Sequence, residues 1–190
     1  MELEAYEPTI ERTLVSKEAI AAVIDRLAER IAADYARKPL LLVGVLKGAL
    51  HISVDLARAL ARRDDGPSEL ILDFICVSSY GNATRSSGEV RLLKDVDAPT
   101  VDQHILIVED IIDNGHTLAY LRDLFSRRKP ASLRSCVLFN KPYRRLVDVP
   151  VDYVGMTVPD DFVVGYGLDY QELYRNLPFL AQLKASAFSS

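Results

Sequence analysis

The sequence predicts an α/β domain in which a mostly parallel central sheet is flanked by helices, and three observations carry that prediction. First, Leu40 to Leu46 and Ile105 to Val108 are almost wholly apolar and short, as strands covered on both faces are. Second, segments with apolar residues at helical spacing alternate with these runs. Third, polar, glycine-containing turns follow the runs, and in such folds ligands sit at the carboxyl ends of the strands.

Each element can be justified in turn. Ser16 supplies an N-cap, and Lys17 to Ala36 places Ile20, Val23, Ile24, Leu27, Ile31 and Tyr35 on one helical face before Pro39 ends the run. The strand Leu40 to Leu46 follows. After Lys47-Gly48, Ile52, Leu56 and Leu60 mark a second helix, stopped by Arg62 to Pro67. Leu70 to Val77 reads as the next strand and Ile105 to Val108 as another. A helix then runs through Leu118, Leu121 and Leu124, and further strands are expected at Ser132 to Phe139 and Tyr153 to Val158. Ser79 to Pro99, polar and poor in apolar pattern, reads as a long loop, either a functional lid or plain surface chain.

Composition fits one domain over residues 1–190: 49% of residues are hydrophobic, 26% are charged, and no repeat or linker interrupts them. The net charge of -4 argues against a generally cationic nucleic-acid binder while leaving room for a small phosphorylated substrate. Cys76 and Cys136 lie in separate apolar stretches and read as reduced packing residues. Met1-Glu2-Leu3-Glu4 lacks the basic start of a signal peptide, and no apolar run reaches the roughly 20 residues that span a bilayer. A cytoplasmic protein without membrane contact is expected.

The chemistry concentrates in Ile105 to Thr117, where an apolar strand runs into the adjacent acids Glu109 and Asp110 and then into a polar turn that opens a helix. Backbone N–H groups at a helix start have no intrahelical partners, so Asp113, Asn114, Gly115, His116 and Thr117 can cradle a phosphate, with Thr117 adding a hydroxyl. Glu109 and Asp110 can accept hydrogen bonds from vicinal sugar hydroxyls or act through water on a magnesium ion. A phosphate seat beside a diol reader describes a ribose 5-phosphate. Read alone, the two acids are more simply solvated turn residues and Asp113 a helix cap, and it is the surrounding pattern that reverses this. Neither G-x-x-x-x-G-K-[ST] nor G-x-G-x-x-G occurs, which removes support from triphosphate and dinucleotide readings.

The order of four apolar residues, two acids, two apolar residues and a small-residue loop resembles the phosphoribosyl-pyrophosphate motif of the type I phosphoribosyltransferases, and the resemblance extends over nearly the whole chain. Asn114 stands where that family usually carries a small residue, commonly Thr. The outer segments resemble the hypoxanthine-guanine branch. Val45-Leu46-Lys47-Gly48 is similar to its diphosphate loop, which implies a cis peptide between Leu46 and Lys47 and a diphosphate bound by Lys47, Gly48 and Arg175. Ser78 to Gly88 resembles its mobile loop, spanning about 79–99 here, in which Ser79 and Tyr80 would close over the site. Asn140-Lys141-Pro142 and Pro159 to Tyr170 resemble its purine pocket.

The resemblance implies that Lys141 donates to the purine 6-oxygen, Phe162 stacks on the ring and the Val163 backbone meets its edge. Asp169, with Glu109 and Asp110, would hold Mg2+, and Asp113 would act as the catalytic base. It further implies a type I fold with a small hood built from both termini, phosphoribosyl pyrophosphate and a 6-oxopurine as substrates, and a homodimer or homotetramer. Xanthine-guanine transfer and a nucleotide-sensing, RNA-binding regulator on the same fold are the competing readings. The Phe162 to Asp169 run speaks against the first and the acidic balance against the second.

Overall fold

The structure is a computed structural model that describes residues 9–79 and 90–187. A six-stranded sheet forms its centre, with β2 (Pro39–Leu46), β3 (Glu69–Ser79), β4 (Val90–Lys94), β5 (His104–Ile112), β6 (Ser132–Asn140) and β7 (Tyr153–Thr157) in the order β4-β3-β2-β5-β6-β7. All neighbours are parallel except β3 and β4. The apolar runs explain the middle of the sheet: Leu40 to Val43 and Ile105 to Val108 are buried, because helices cover a parallel sheet on both faces. Those helices are α1 (Lys17–Asp34), capped by Ser16 Oγ accepting from the Ala19 N–H, α2 (Leu50–Ala61) and α3 (His116–Ser126).

A second sheet of three short strands, β1 (Ile10–Val15), β9 (Leu180–Leu183) and β8 (Val163–Val164), is antiparallel. It has its own small buried cluster of Ile10, Val164, Leu177, Ala181 and Leu183. None of its strands was anticipated.

Three further expectations are corrected. The stretch 79–99 is not wholly loop, since Val90–Lys94 forms β4, with Val90 and Leu92 half-buried and Arg91 and Leu93 exposed. Its period-2 pattern spans only five residues, too few to stand out against polar flanks. The strand carrying the acids continues to Ile112, so Glu109 and Asp110 lie within β5 and not after it. Asp113 caps no helix: the N-cap of α3 is Gly115, and the Asn114 side chain accepts from the His116 N–H at 3.0 Å.

The chain builds β2, β3 and β4 towards one edge, then returns to the centre to add β5, β6 and β7 towards the other. Where this direction reverses, the carboxyl ends of β2 and β5 stand side by side with their following turns parted, which leaves a crevice.

Candidate active site

A cavity of about 300 Å3 occupies that crevice. It is lined by Val45 and Leu46 of β2, by Gly48 in the turn after it, and from β5 and its turn by the continuous run Glu109 to Leu118, so Glu109, Asp110, Asp113, Asn114, Gly115, His116 and Thr117 share one space. The peptide bond between Leu46 and Lys47 is cis. Gly48 is required here because a Cβ at that position would overlap the Asp110 carboxylate.

The two acids meet different surroundings. Glu109 is buried, and loss of water together with the neighbouring Asp110 charge pushes its pKa up to about 8, opposed by Arg145. Asp110 is pushed up to about 6, chiefly by desolvation, while backbone hydrogen bonds and the Arg175 charge pull the other way and Asp169 adds to the rise. Two carboxyls that are costly to ionise without a partner favour a ligand bringing hydroxyl donors, or a cation that would draw them to the charged form. Asp113 Oδ1 is buried with no hydrogen-bond partner, and its charge acts on Lys141.

The turn beyond the acids is held open by backbone geometry. Gly115 is left-handed at φ 90°, a conformation that costs glycine little. Behind it, the carbonyl of Asn114 accepts from the N–H groups of both Leu146 and Val147 at 3.0 Å. Arg145 donates through Nε to the Asp113 carbonyl at 3.1 Å and through Nη2 to Asn140 Oδ1 at 2.8 Å.

The two cations expected to bind diphosphate are engaged with acids. Lys47 does not line the cavity; its Nζ pairs with Glu172 at 2.7 Å. Arg175 pairs with Asp169 at 2.8 Å and Glu172 at 3.4 Å, and donates to the Gly167 carbonyl at 2.9 Å. Glu172 thus links Lys47 to Arg175. Gly167, at φ 103°, approaches so closely that a Cβ would overlap the Gly48 carbonyl.

Lys141, expected to meet the purine, is buried, and desolvation lowers its pKa; its Nζ donates to the Asp161 carbonyl at 2.6 Å. Phe162 is 38% exposed and meets Tyr170 edge to face at 5.5 Å, which leaves ring surface for a ligand. Val163 is buried in β8, and the preceding Phe162 carbonyl accepts from the Leu183 N–H. Ser79 ends β3, and Tyr80 lies outside the described residues.

Among the described residues, no three His, Cys, Asp or Glu side chains converge as a ready-made metal cage. Asp110 and Asp169 interact with each other and with Arg175. Mg2+ is commonly held by one or two carboxylates plus substrate phosphate oxygens and water, so this donor set fits an ion shared with a phosphorylated ligand.

Residues 12–171 match the phosphoribosyl transferase domain. The chain belongs to the phosphoribosyl transferase family. Among its relatives are the hypoxanthine-guanine phosphoribosyltransferases of Bacillus subtilis, 46% identical over 95% of this chain and 97% of that protein, and of Streptococcus thermophilus, 44% identical over 96% and 98%. A hypoxanthine phosphoribosyltransferase structure from Staphylococcus aureus superposes with a TM-score of 0.89 at 39% identity, covering 98% of each chain. One from Trypanosoma cruzi gives 0.87 at 41%, covering 95% of this chain and 94% of that one.

Within this phosphoribosyl transferase, sequence reasoning missed two groups of the site. Glu172 gave no signal, since an acid in a polar C-terminal stretch reads as surface. Arg145 lies outside every motif, and only the fold brings it behind the turn.

Proposed function

We propose that the chain transfers the 5-phosphoribosyl group of phosphoribosyl pyrophosphate to hypoxanthine or guanine, giving the nucleoside monophosphate and diphosphate in purine salvage. The observation that carries this reading is the one cavity in which Gly48, the acids of β5 and the turn Asp113 to Thr117 meet. The high identity to hypoxanthine-guanine phosphoribosyltransferases supports it.

In this reading Asn114, Gly115, His116 and Thr117 hold the 5-phosphate, and Glu109 and Asp110 face the ribose hydroxyls. Gly48, Lys47 and Arg175 receive the diphosphate, for which Lys47 and Arg175 must exchange Glu172 for phosphate oxygens. Lys141 donates to the purine 6-oxygen, Phe162 stacks on the ring, and the Val163 backbone meets its edge. Ser79 and Tyr80 close the site against water.

The purine N9 attacks the anomeric carbon as the bond to diphosphate breaks, and the electron pair leaves with the diphosphate. Asp113 takes the purine N7 proton, a role supported by its buried oxygen without a protein partner. Asp110, Asp169 and Glu109 would hold Mg2+, which would supply positive charge beside the departing diphosphate. Positioning and electrostatics do most of the work. The enzyme acts in the cytoplasm as a homodimer or homotetramer; among the described residues no helix is long and apolar enough to cross a membrane.

Diphosphate release with phosphoribosyl pyrophosphate, Mg2+ and each purine in turn tests the reading, and silence with every purine overturns it. Asp113→Asn should bind both substrates near normally and lose turnover by roughly 100-fold or more. Unchanged turnover removes Asp113 as the base.

A further inference from the structure

Three residues behind the phosphate turn, Arg145, Leu146 and Val147, touch its backbone at two successive peptides. In a planar trans peptide the carbonyl and the N–H point in opposite directions, so fixing one aims the other. Arg145 Nε holds the Asp113 carbonyl at the rear, which turns the Asn114 N–H towards the cavity. The Leu146 and Val147 N–H groups hold the Asn114 carbonyl at the rear, which turns the Gly115 N–H the same way. Among the described residues, neither the Asn114 nor the Gly115 N–H donates to a protein acceptor. Two adjacent N–H groups aimed into one space, next to the first turn of α3, form an anion-binding concavity.

We propose that the segment Arg145 to Val147 is a strap that sets the phosphate seat, with Arg145 as the positioning residue that determines affinity for the 5-phosphate. The inference rests on the phosphoribosyl reading above and assigns a function to a segment that does not line the cavity. The strap is in register with the turn along its length: a Cβ on Gly115 would lie 2.9 Å from the Val147 carbonyl oxygen and 3.0 Å from Arg145 Cδ.

Hydrogen bonds, more than packing, hold the guanidinium in place. A cleft of about 330 Å3, lined by Asn140, Pro142, Arg145, Val149, Val151 and Val154, leaves room on its far side. Its Nη2 is anchored there by Asn140 Oδ1, at the end of β6. The Arg fork reaches the Asp113 carbonyl and the Asn140 amide at once, and a lysine, with a single ammonium, cannot reproduce both. The positive charge near Glu109 is kept by lysine, so Arg145→Lys separates the strap function from the charge.

The test uses the full-length enzyme with Arg145→Lys, Arg145→Gln and Asn140→Ala. Steady-state KM is measured for phosphoribosyl pyrophosphate and for the purine, together with binding of inosine monophosphate and of inosine, which lacks the phosphate. Arg145→Lys should raise KM for phosphoribosyl pyrophosphate about tenfold and shrink the preference for the monophosphate over inosine by a similar factor, with KM for the purine within twofold of the parent. Asn140→Ala should move the same quantities in the same direction by less.

If Arg145→Gln fails to fold, the other two variants decide. The strap role is overturned if folded Arg145→Lys and Asn140→Ala keep the parent preference for the monophosphate. A fall in affinity for inosine equal to that for the monophosphate also overturns it, because a loosened fold would act on both. A parent enzyme inactive with every purine would instead overturn the proposed function, so the two failures are distinguishable.

Discussion

Glu109 is the residue at which burial and charge pull in opposite directions. A carboxylate in the middle of a buried strand loses its water, and a second carboxylate follows it in sequence. Its pKa in the fold, about 8, stands above the ordinary value of 4.5, so the native state binds the proton more tightly than the unfolded chain. The stability associated with the protonated form is therefore complete below about pH 4.5 and lost as the pH rises through 8. Glu109→Gln should unfold at a higher temperature than the parent at pH 8.5 without ligand, and the gain should vanish near pH 5. Each kcal/mol relieved should appear as about 2–4 °C in Tm. Calorimetry at the two pH values checks it, and a gain independent of pH would remove the charge as its cause.

Elements differ in how openly the sequence declares them. β2 and β5 were legible because unbroken apolar runs have few uses other than a covered strand, and α1 because Ser16 and its apolar face agree. The acids and the turn Asp113 to Thr117 could be found for the same reason: they continue the apolar run of β5 without interruption. β8, with two residues, and β1 and β9 acquire their strand character only by pairing with one another across the length of the chain. No local pattern announces that. Arg145 was illegible for a related reason, since its partners Asp113 and Asn140 become neighbours only when β5 and β6 lie side by side.

The junction of β2 with α2 carries its own prediction. Gly48→Ala places a methyl group where Asp110 sits, so the carboxylate must turn away from the cavity. Activity should fall by roughly 100-fold, the effect expected when positioning is lost by about 1 Å, while the apolar core is untouched. Kinetics beside a thermal melt measure this. A large drop in Tm with normal specific activity of the folded fraction would assign Gly48 to folding instead.

On the scale of the whole molecule, networks of charge tie together segments that the sheet alone leaves apart. Asp95, just after β4, takes a two-pronged hydrogen bond from Arg128 at 2.9 and 2.7 Å beyond the end of α3, and that guanidinium holds its carboxyl below the ordinary value. Asp34 at the end of α1 accepts from Tyr153 in β7 at 2.6 Å and from Arg134 in β6, and its carboxyl is lowered as well, first by the tyrosine. Groups lowered in the fold stabilise it above their unfolded values and lose that contribution as the pH falls through the folded ones. Asp95→Asn should therefore melt earlier than the parent at pH 7 and lose less of its remaining Tm between pH 5 and pH 3. Parallel acid limbs for the two proteins would exclude the pair as a source of acid sensitivity.

The bare crossing of Gly167 over Gly48 has a practical meaning for anyone redesigning the base preference. At that point two stretches of main chain touch with no side chain between them, and Arg175 is clamped to one of them through the Gly167 carbonyl. If Phe162 stacks on the base as proposed, mutational libraries aimed at new purine analogues can vary its exposed ring. Glycine at 167 is the fixed point such libraries should leave alone: any residue with a Cβ there would meet the Gly48 carbonyl and force the two main chains apart.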